Sequence, residues 1–111
     1  MNSSRFPIPQ GTLAMLILQI LSLKPLHGYG VAQRLEQISQ SVVQVNQGSL
    51  YPALHRLEQR GWLSSEWKQS ETGREAKFYP LTAAGRKQLA AEKESWVRFA
   101  GAVQLIFNEG R

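Results

Sequence analysis

Apolar residues crowd residues 13–23 (LAMLILQILSL) and cover almost the whole circumference of a helix, interrupted only by Gln19. That pattern predicts a helix at the hub of a core, or one shared with a second subunit. Thr12 is placed to cap it, and Pro25 stops it near Leu23, because the residue before proline avoids helical backbone. After a turn at residues 26–28, Val31, Leu35 and Ile38 recur at spacings of four and three, with Gln33, Arg34 and Gln37 outside. This predicts a second helix from Gly30 to about Ile38. Residues 39–47 include the β-prone Val42, Val43, Gln44 and Val45, which read as a short strand or an extended link.

Residues 48–63 (GSLYPALHRLEQRGWL) carry two surfaces on one short helix. Leu50, Leu54 and Leu57 share a face and must be buried. Ser49, Pro52, His55, Arg56 and Gln59 point elsewhere and present hydroxyl, imidazole, guanidinium and amide groups, the inventory that reads base edges and phosphates. Proline lacks an N–H and fits best in the first turn. Pro52 therefore starts the helix near Gly48, or distorts its first turn if Asn46 is the cap. Gly61 ends it, since glycine accepts left-handed backbone at a helix C-terminus.

Beyond Gly61 the period changes. Residues 62–68 and 76–81 are rich in aromatic and aliphatic side chains, and residues 69–73 (QSETG) between them are turn chemistry, so a β-hairpin is predicted. Thr82 caps a last helix reaching Phe107. Leu89, Trp96 and Val103 repeat every seven residues, with Phe99 and Ile106 offset by three, as in a coiled-coil seam. Glu92 alone is wrong for a dry seam. The fold class is thus mainly α with a small β-hairpin: a winged helix-turn-helix plus a long C-terminal dimerisation helix. The expected organisation is a loose N-terminal arm over residues 1–11, a winged domain over 12–81, and the dimerisation helix over 82–111. With no core left for it to cover, the last helix is expected to pack against another subunit.

The chain has 111 residues, 13 Lys+Arg against 8 Asp+Glu, a net charge of +5 and no cysteine. The charge favours a polyanionic partner only modestly. Absent cysteine excludes disulfides and thiolate metal sites, and suits a reducing cytoplasm. The apolar run at 13–23 is too short to span a bilayer and has no small-residue cleavage site after it. His27 and His55 have no carboxylate cluster at ligand spacing, so no metal or other cofactor is expected. Gly28, Tyr29 and Gly30 lack the spacing and lysine of a phosphate loop. Nothing proposes a reaction: there is no histidine placed with a serine and an acid, and no recognisable carboxylate pair.

Several motifs carry a family resemblance. His27-Gly28-Tyr29-Gly30, the run from Gly48 to Glu58 (GSLYPALHRLE), Gly61-Trp62-Leu63, and Tyr79-Pro80-Leu81-Thr82-Ala83-Ala84-Gly85 stand in the order and spacing of the PadR family of bacterial transcriptional regulators. The chain resembles that family from about Leu13 to Gly85; the middle run is its specific part. Because it stops at Arg111, it looks like the small subfamily with a single C-terminal helix. The resemblance implies a homodimeric repressor on a pseudo-palindromic DNA operator. The third helix would enter the major groove, the wing would touch backbone or minor groove, and the last helix would build the dimer.

On that basis the candidate DNA-binding residues are Tyr29, Gln47, Ser49, Tyr51, Pro52, His55, Arg56, Lys68, Arg74 and Lys77. Each has a plainer reading. Tyr29 seals a turn; Tyr51 packs on the second helix; Arg56 is a solvated surface arginine, with Glu58 as an available partner. The wing cations form a solvated surface diluted by Glu66, Glu71 and Glu75. Leu89, Trp96, Phe99, Val103 and Ile106 are the candidate dimer interface. Some members of the small subfamily sense flat aromatic compounds between subunits beside a tryptophan in this helix, and Glu94-Ser95-Trp96 resembles that arrangement. Trp96 is therefore a seam residue first and a candidate effector contact second. The rival class is a winged-helix protein-interaction module without specific DNA binding, which would tolerate loss of Arg56 and Arg74.

Overall fold

The computed structural model describes residues 11–109. Residues 1–10 of the expected arm over 1–11, and the terminal pair 110–111, lie outside the described residues. The elements run α1 (Thr12–Leu21), β1 (Leu26–His27), α2 (Gly28–Ile38), α3 (Gln47–Gln59), β2 (Glu66–Gln69), β3 (Glu75–Tyr79) and α4 (Ala83–Glu109). The all-round apolar α1 is the hub: Ile17 and Leu18 are fully shielded, and Leu21 nearly so. Around it close Val31 and Leu35 of α2, Leu50, Leu54 and Leu57 of α3, and Leu63, Tyr79 and Leu89. Burying each such aliphatic side chain contributes roughly 1.5–3 kcal/mol before chain entropy is counted.

Thr12 does not cap α1. The cap position is Gly11, at φ 86°, and it makes no side-chain cap bond, so Thr12 is already inside the first turn. Glycine takes that left-handed entry without a Cβ clash. At the far end α1 stops at Leu21, two residues earlier than expected; the Ser22 hydroxyl donates to the Gln19 carbonyl at 2.6 Å.

A strand absent from the sequence reading, β1, follows. Leu26 and His27 pair antiparallel with Tyr79 and Phe78, so the sheet has three strands in the order β1-β3-β2. Two residues carry no periodicity, which is why the pattern did not reveal it. His27 then caps α2, its Nδ1 accepting from the Gly30 N–H at 3.0 Å, and moves the helix start from Gly30 to Gly28.

Between α2 and α3 the valine patch is an extended link and forms no strand. Gln40 and Ser41 take left-handed backbone at φ 55° and 69°, and the Val43 N–H donates to the Ser39 hydroxyl at 2.8 Å. Val43 and Val45 lean on the core, so their β-prone side chains serve packing. Asn46 caps α3 through its Oδ1, which accepts from the Ser49 N–H at 2.9 Å. Pro52 consequently lies beyond the first turn, inside the helix.

The wing is β2 and β3, with Glu66, Trp67, Lys68 and Gln69 facing Phe78, Lys77, Ala76 and Glu75 in register. Its turn closes through Ser70 N–H to Arg74 carbonyl at 2.7 Å, with Gly73 at φ 86°. Thr82 does cap α4: its hydroxyl accepts from the Gly85 N–H at 2.9 Å and donates to the Gly61 carbonyl at 2.7 Å. That double use ties the start of α4 to the end of α3.

The first turns of α4 pack on α1, so this helix does have a core to cover. Leu89, read from its heptad position as a seam residue, is buried in the chain's own core. From Trp96 onward the apolar side chains face solvent, with Phe99 64% and Ile106 69% exposed and Val103 half-buried. Glu92 is half-buried at the head of that stripe and accepts from Gln88 Nε2 at 2.8 Å.

Candidate nucleic-acid interface

The four buried residues of α3, Leu50, Ala53, Leu54 and Leu57, occupy one face. With about 3.6 residues per turn, the opposite ridge is then Gly48, Pro52, His55 and Gln59. Ser49 and Arg56 flank it on one side; Tyr51 and Glu58 flank it on the other. Gln47, Ser49, Tyr51, Pro52, His55 and Arg56 are all exposed, so six of the candidate residues share one accessible surface.

Tyr51 leans toward α2 and the wing. A Cβ placed on Gly28 would come within 2.5 Å of the Tyr51 ring, so the glycine is what admits the ring at the start of α2. Packing on the second helix and exposure coexist: Tyr51 remains 42% exposed. Its ring lines a cleft with Tyr29, Arg74, Lys77 and Tyr79, where the end of β1, the start of α2, the side of α3 and the wing meet. Tyr29 is exposed on the same cleft, and Arg74 is exposed at the wing turn.

The three wing cations do not act alike. Strand register puts Lys77 on the same face as Trp67 and Tyr79, toward α3, whereas Lys68 shares the opposite face with Phe78. Lys68 Nζ sits 4.6 Å from the centre of the Phe78 ring, a cation–π contact, and lines a different hollow bordered by Leu23 and Arg34. Lys68 thus does not join the surface formed by α3.

Lys77 does turn to α3, but its ammonium is engaged there: Nζ lies 3.0 Å from Glu58 Oε1. The other carboxylate oxygen of Glu58 accepts from the Ser65 hydroxyl at 2.9 Å. Lys77 holds the Glu58 carboxyl below its ordinary value, against the opposing effect of desolvation, with Ser65 adding to the lowering. Glu58 in turn raises the Lys77 ammonium above its ordinary value. Glu58, which the plainer reading of Arg56 offered as its partner, is engaged by Lys77. Glu58, Ser65 and Gly28 were not among the sequence candidates. The sequence hint for Glu58 was its spacing, seven residues beyond Tyr51, which sets the two on the same side of the helix.

His27 anchors the other edge of the sheet. Because Nδ1 accepts the cap bond, the ring proton is assigned to Nε2, which faces Glu71 Oε1 at 3.7 Å. The ring meets Phe78 edge-on at 5.2 Å between centroids. Among the described residues no group of three or more His, Asp or Glu is placed to hold a metal, and no helix is long and apolar enough to cross a membrane.

A greasy-backed helix with a polar ridge, a preceding helix at its side and a hairpin beyond it is the arrangement that enters a major groove while the flanking parts touch backbone. Comparison with known proteins agrees. The model of the PadR-like transcriptional regulator family matches residues 17–91. A transcriptional regulator of Mycobacterium tuberculosis is 37% identical over 77 residues, covering 69% of this chain and 68% of that one. The crystal structure of a PadR-like transcriptional regulator from Bacillus cereus superposes with a TM-score of 0.77 at 30% identity, over 88% of this chain and 93% of that one. A PadR family transcription regulator from Clostridium difficile gives 0.72 at 32% identity, over 87% and 98%. This chain belongs to the PadR-like family of transcriptional regulators, proteins that act by binding DNA and not as enzymes.

Proposed function

We propose that the protein is a homodimeric, ligand-responsive repressor acting in the cytoplasm, each subunit reading one half-site of a pseudo-palindromic operator. The observation that carries this reading is the pairing of two exposed surfaces on one chain. The exposed side of α3 offers Gln47, Ser49, His55 and Arg56 to base edges and phosphates, with Pro52 on its ridge. Tyr29, Tyr51 and Arg74 offer hydroxyls and a guanidinium to the flanking backbone, where contacts position the protein without specifying sequence. The second surface is the far half of α4, where Trp96, Val97, Phe99, Leu105, Ile106 and Phe107 are all exposed. Monomers seldom leave so many large apolar groups in water, and a second copy is the simplest cover. In such a dimer the two α3 helices would sit about one DNA turn apart, roughly 34 Å.

The effector reading rests on a hollow between the start of α1 and α4, lined by Met15, Ala91, Glu92, Trp96 and Phe99. A flat aromatic ligand stacked on Trp96 would change how the two α4 helices meet, and with them the separation of the recognition helices. The test is a titration of labelled duplex from the protein's own upstream region against random duplex at several salt concentrations. Preference for the upstream duplex, with half-site symmetry in a footprint, is the expected result. Equal affinity for both duplexes at every salt would remove the claim of a specific regulator.

A further inference from the structure

The wing carries three cations, and the geometry treats one of them unusually. Arg74 is exposed at the turn, and Lys68 lies over Phe78 on the far face. Lys77 lines the cleft between wing and recognition helix, its ammonium over the Tyr79 ring at 5.5 Å and 3.0 Å from Glu58. Glu58 has both oxygens in use, one on Lys77 of β3 and one on Ser65 of the link between α3 and β2. Three segments therefore meet on one carboxylate, which is half-buried. An ammonium on a flexible four-carbon stem beside a polyanion would otherwise find a phosphate on any sequence.

We propose that Glu58 is a positioning and specificity residue for DNA recognition, holding the Lys77 ammonium away from phosphate and fixing the wing to the recognition helix. This rests on the reading that α3 and the wing face DNA. Two effects follow. The clamp removes one sequence-independent attraction per subunit, and it keeps Arg74 and the wing turn at a set angle to the ridge of α3. Releasing it raises affinity for any duplex while blurring the alignment that the operator rewards.

The experiment begins by enriching duplexes from a randomised library with the wild-type protein. Wild type, E58Q, K77Q and the double variant E58Q/K77Q are then titrated on the enriched duplex and on random duplex across a salt series. Glutamine keeps the size and the acceptor for Ser65 but removes the charge that holds Lys77. E58Q should bind random duplex several-fold more tightly at low salt and lose about tenfold in preference for the enriched duplex. Its salt slope should steepen by about 0.9 per subunit, the value of one added phosphate contact. K77Q should leave the slope at the wild-type value, because Lys77 is already occupied, and the double variant should match K77Q.

A flatter slope in K77Q would mean that Lys77 touches phosphate in the wild type, and would overturn the proposal. Equal weakening of E58Q on both duplexes with an unchanged slope would also overturn it, since a merely structural role gives that result. Should E58Q fail to fold, the K77Q slope decides alone. Failure of the wild type to enrich any duplex would remove the DNA reading itself, and the inference with it.

Discussion

Two glycines illustrate how single residues set this molecule's shape, and how different the consequences of filling them would be. A Cβ on Gly85 would lie 2.1 Å from the Trp62 carbonyl oxygen, which is backbone already used by the Thr82 N–H. Neither partner can yield without breaking the junction of α3 and α4. Gly85→Ala should therefore cost about 3 kcal/mol, a fall in Tm on the order of 15 °C in a thermal melt. At Gly28 the clash is with the Tyr51 ring, a side chain free to rotate outward. Gly28→Ala should keep the fold and reposition Tyr51, so its loss should appear in DNA titrations far more than in melting. A Gly28→Ala melt as damaged as that of Gly85→Ala would refute this distinction. The sequence displayed both glycines inside motifs; which backbone or ring each one faces is a long-range fact that no local pattern contains.

Among the elements, α3 is the one whose local chemistry disagrees with itself. Asn46 caps it, which puts Pro52 five residues past its first residue Gln47, where the missing N–H leaves the Gly48 carbonyl without its helical donor. Pro52→Ala should raise unfolding free energy by about 1 kcal/mol in urea titrations, while Asn46→Ala should lower it by a similar amount. If Pro52→Ala destabilises instead, the ring has a packing role that its exposure conceals. The union of α3 with the wing has its own pH signature. Glu58 is held below its ordinary value of 4.5, chiefly by Lys77, so its folded value is depressed. Stability from the pair is then complete above pH 4.5 and is lost as pH falls through the folded value. The stability gap between wild type and E58Q should accordingly close below pH 4.5 and stay constant from there to neutral pH. A gap that widens on acidification would contradict the pairing.

At the scale of the whole molecule, α4 divides between two roles along its length. Its first turns complete the chain's own core through Leu89, and its later turns expose the apolar stripe from Trp96 to Phe107. Leu89→Ala should thus cost about 2–4 kcal/mol of stability and leave assembly constant per folded chain. Phe99→Asp should do the reverse, retaining the melt of the single chain and yielding monomers by light scattering or sedimentation. If Leu89→Ala dissociates the proposed dimer while the chain stays folded, or Phe99→Asp leaves that dimer intact, the proposed division of α4 is wrong. A heptad repeat places both residues in one stripe, because periodicity reports only which side chains share a face. It does not say which neighbour arrives to cover each stretch of that face.

What the sequence determined alone was everything carried by local spacing: the apolar hub α1, the two-faced helix around Leu50, Leu54 and Leu57, the hairpin, the Thr82 cap and the family motifs. These are legible because burial on one side imposes a period of 3.6 or 2 on a contiguous run. The tertiary structure decided what depends on partners distant in the chain. It supplied the two-residue strand β1, whose meaning lies in Phe78 and Tyr79. It moved Leu89 from seam to core, turned Lys68 to the far face of the wing, and gave Lys77 to Glu58, nineteen positions away. A charge in a sequence is only a valence, and packing chooses the counter-charge that satisfies it.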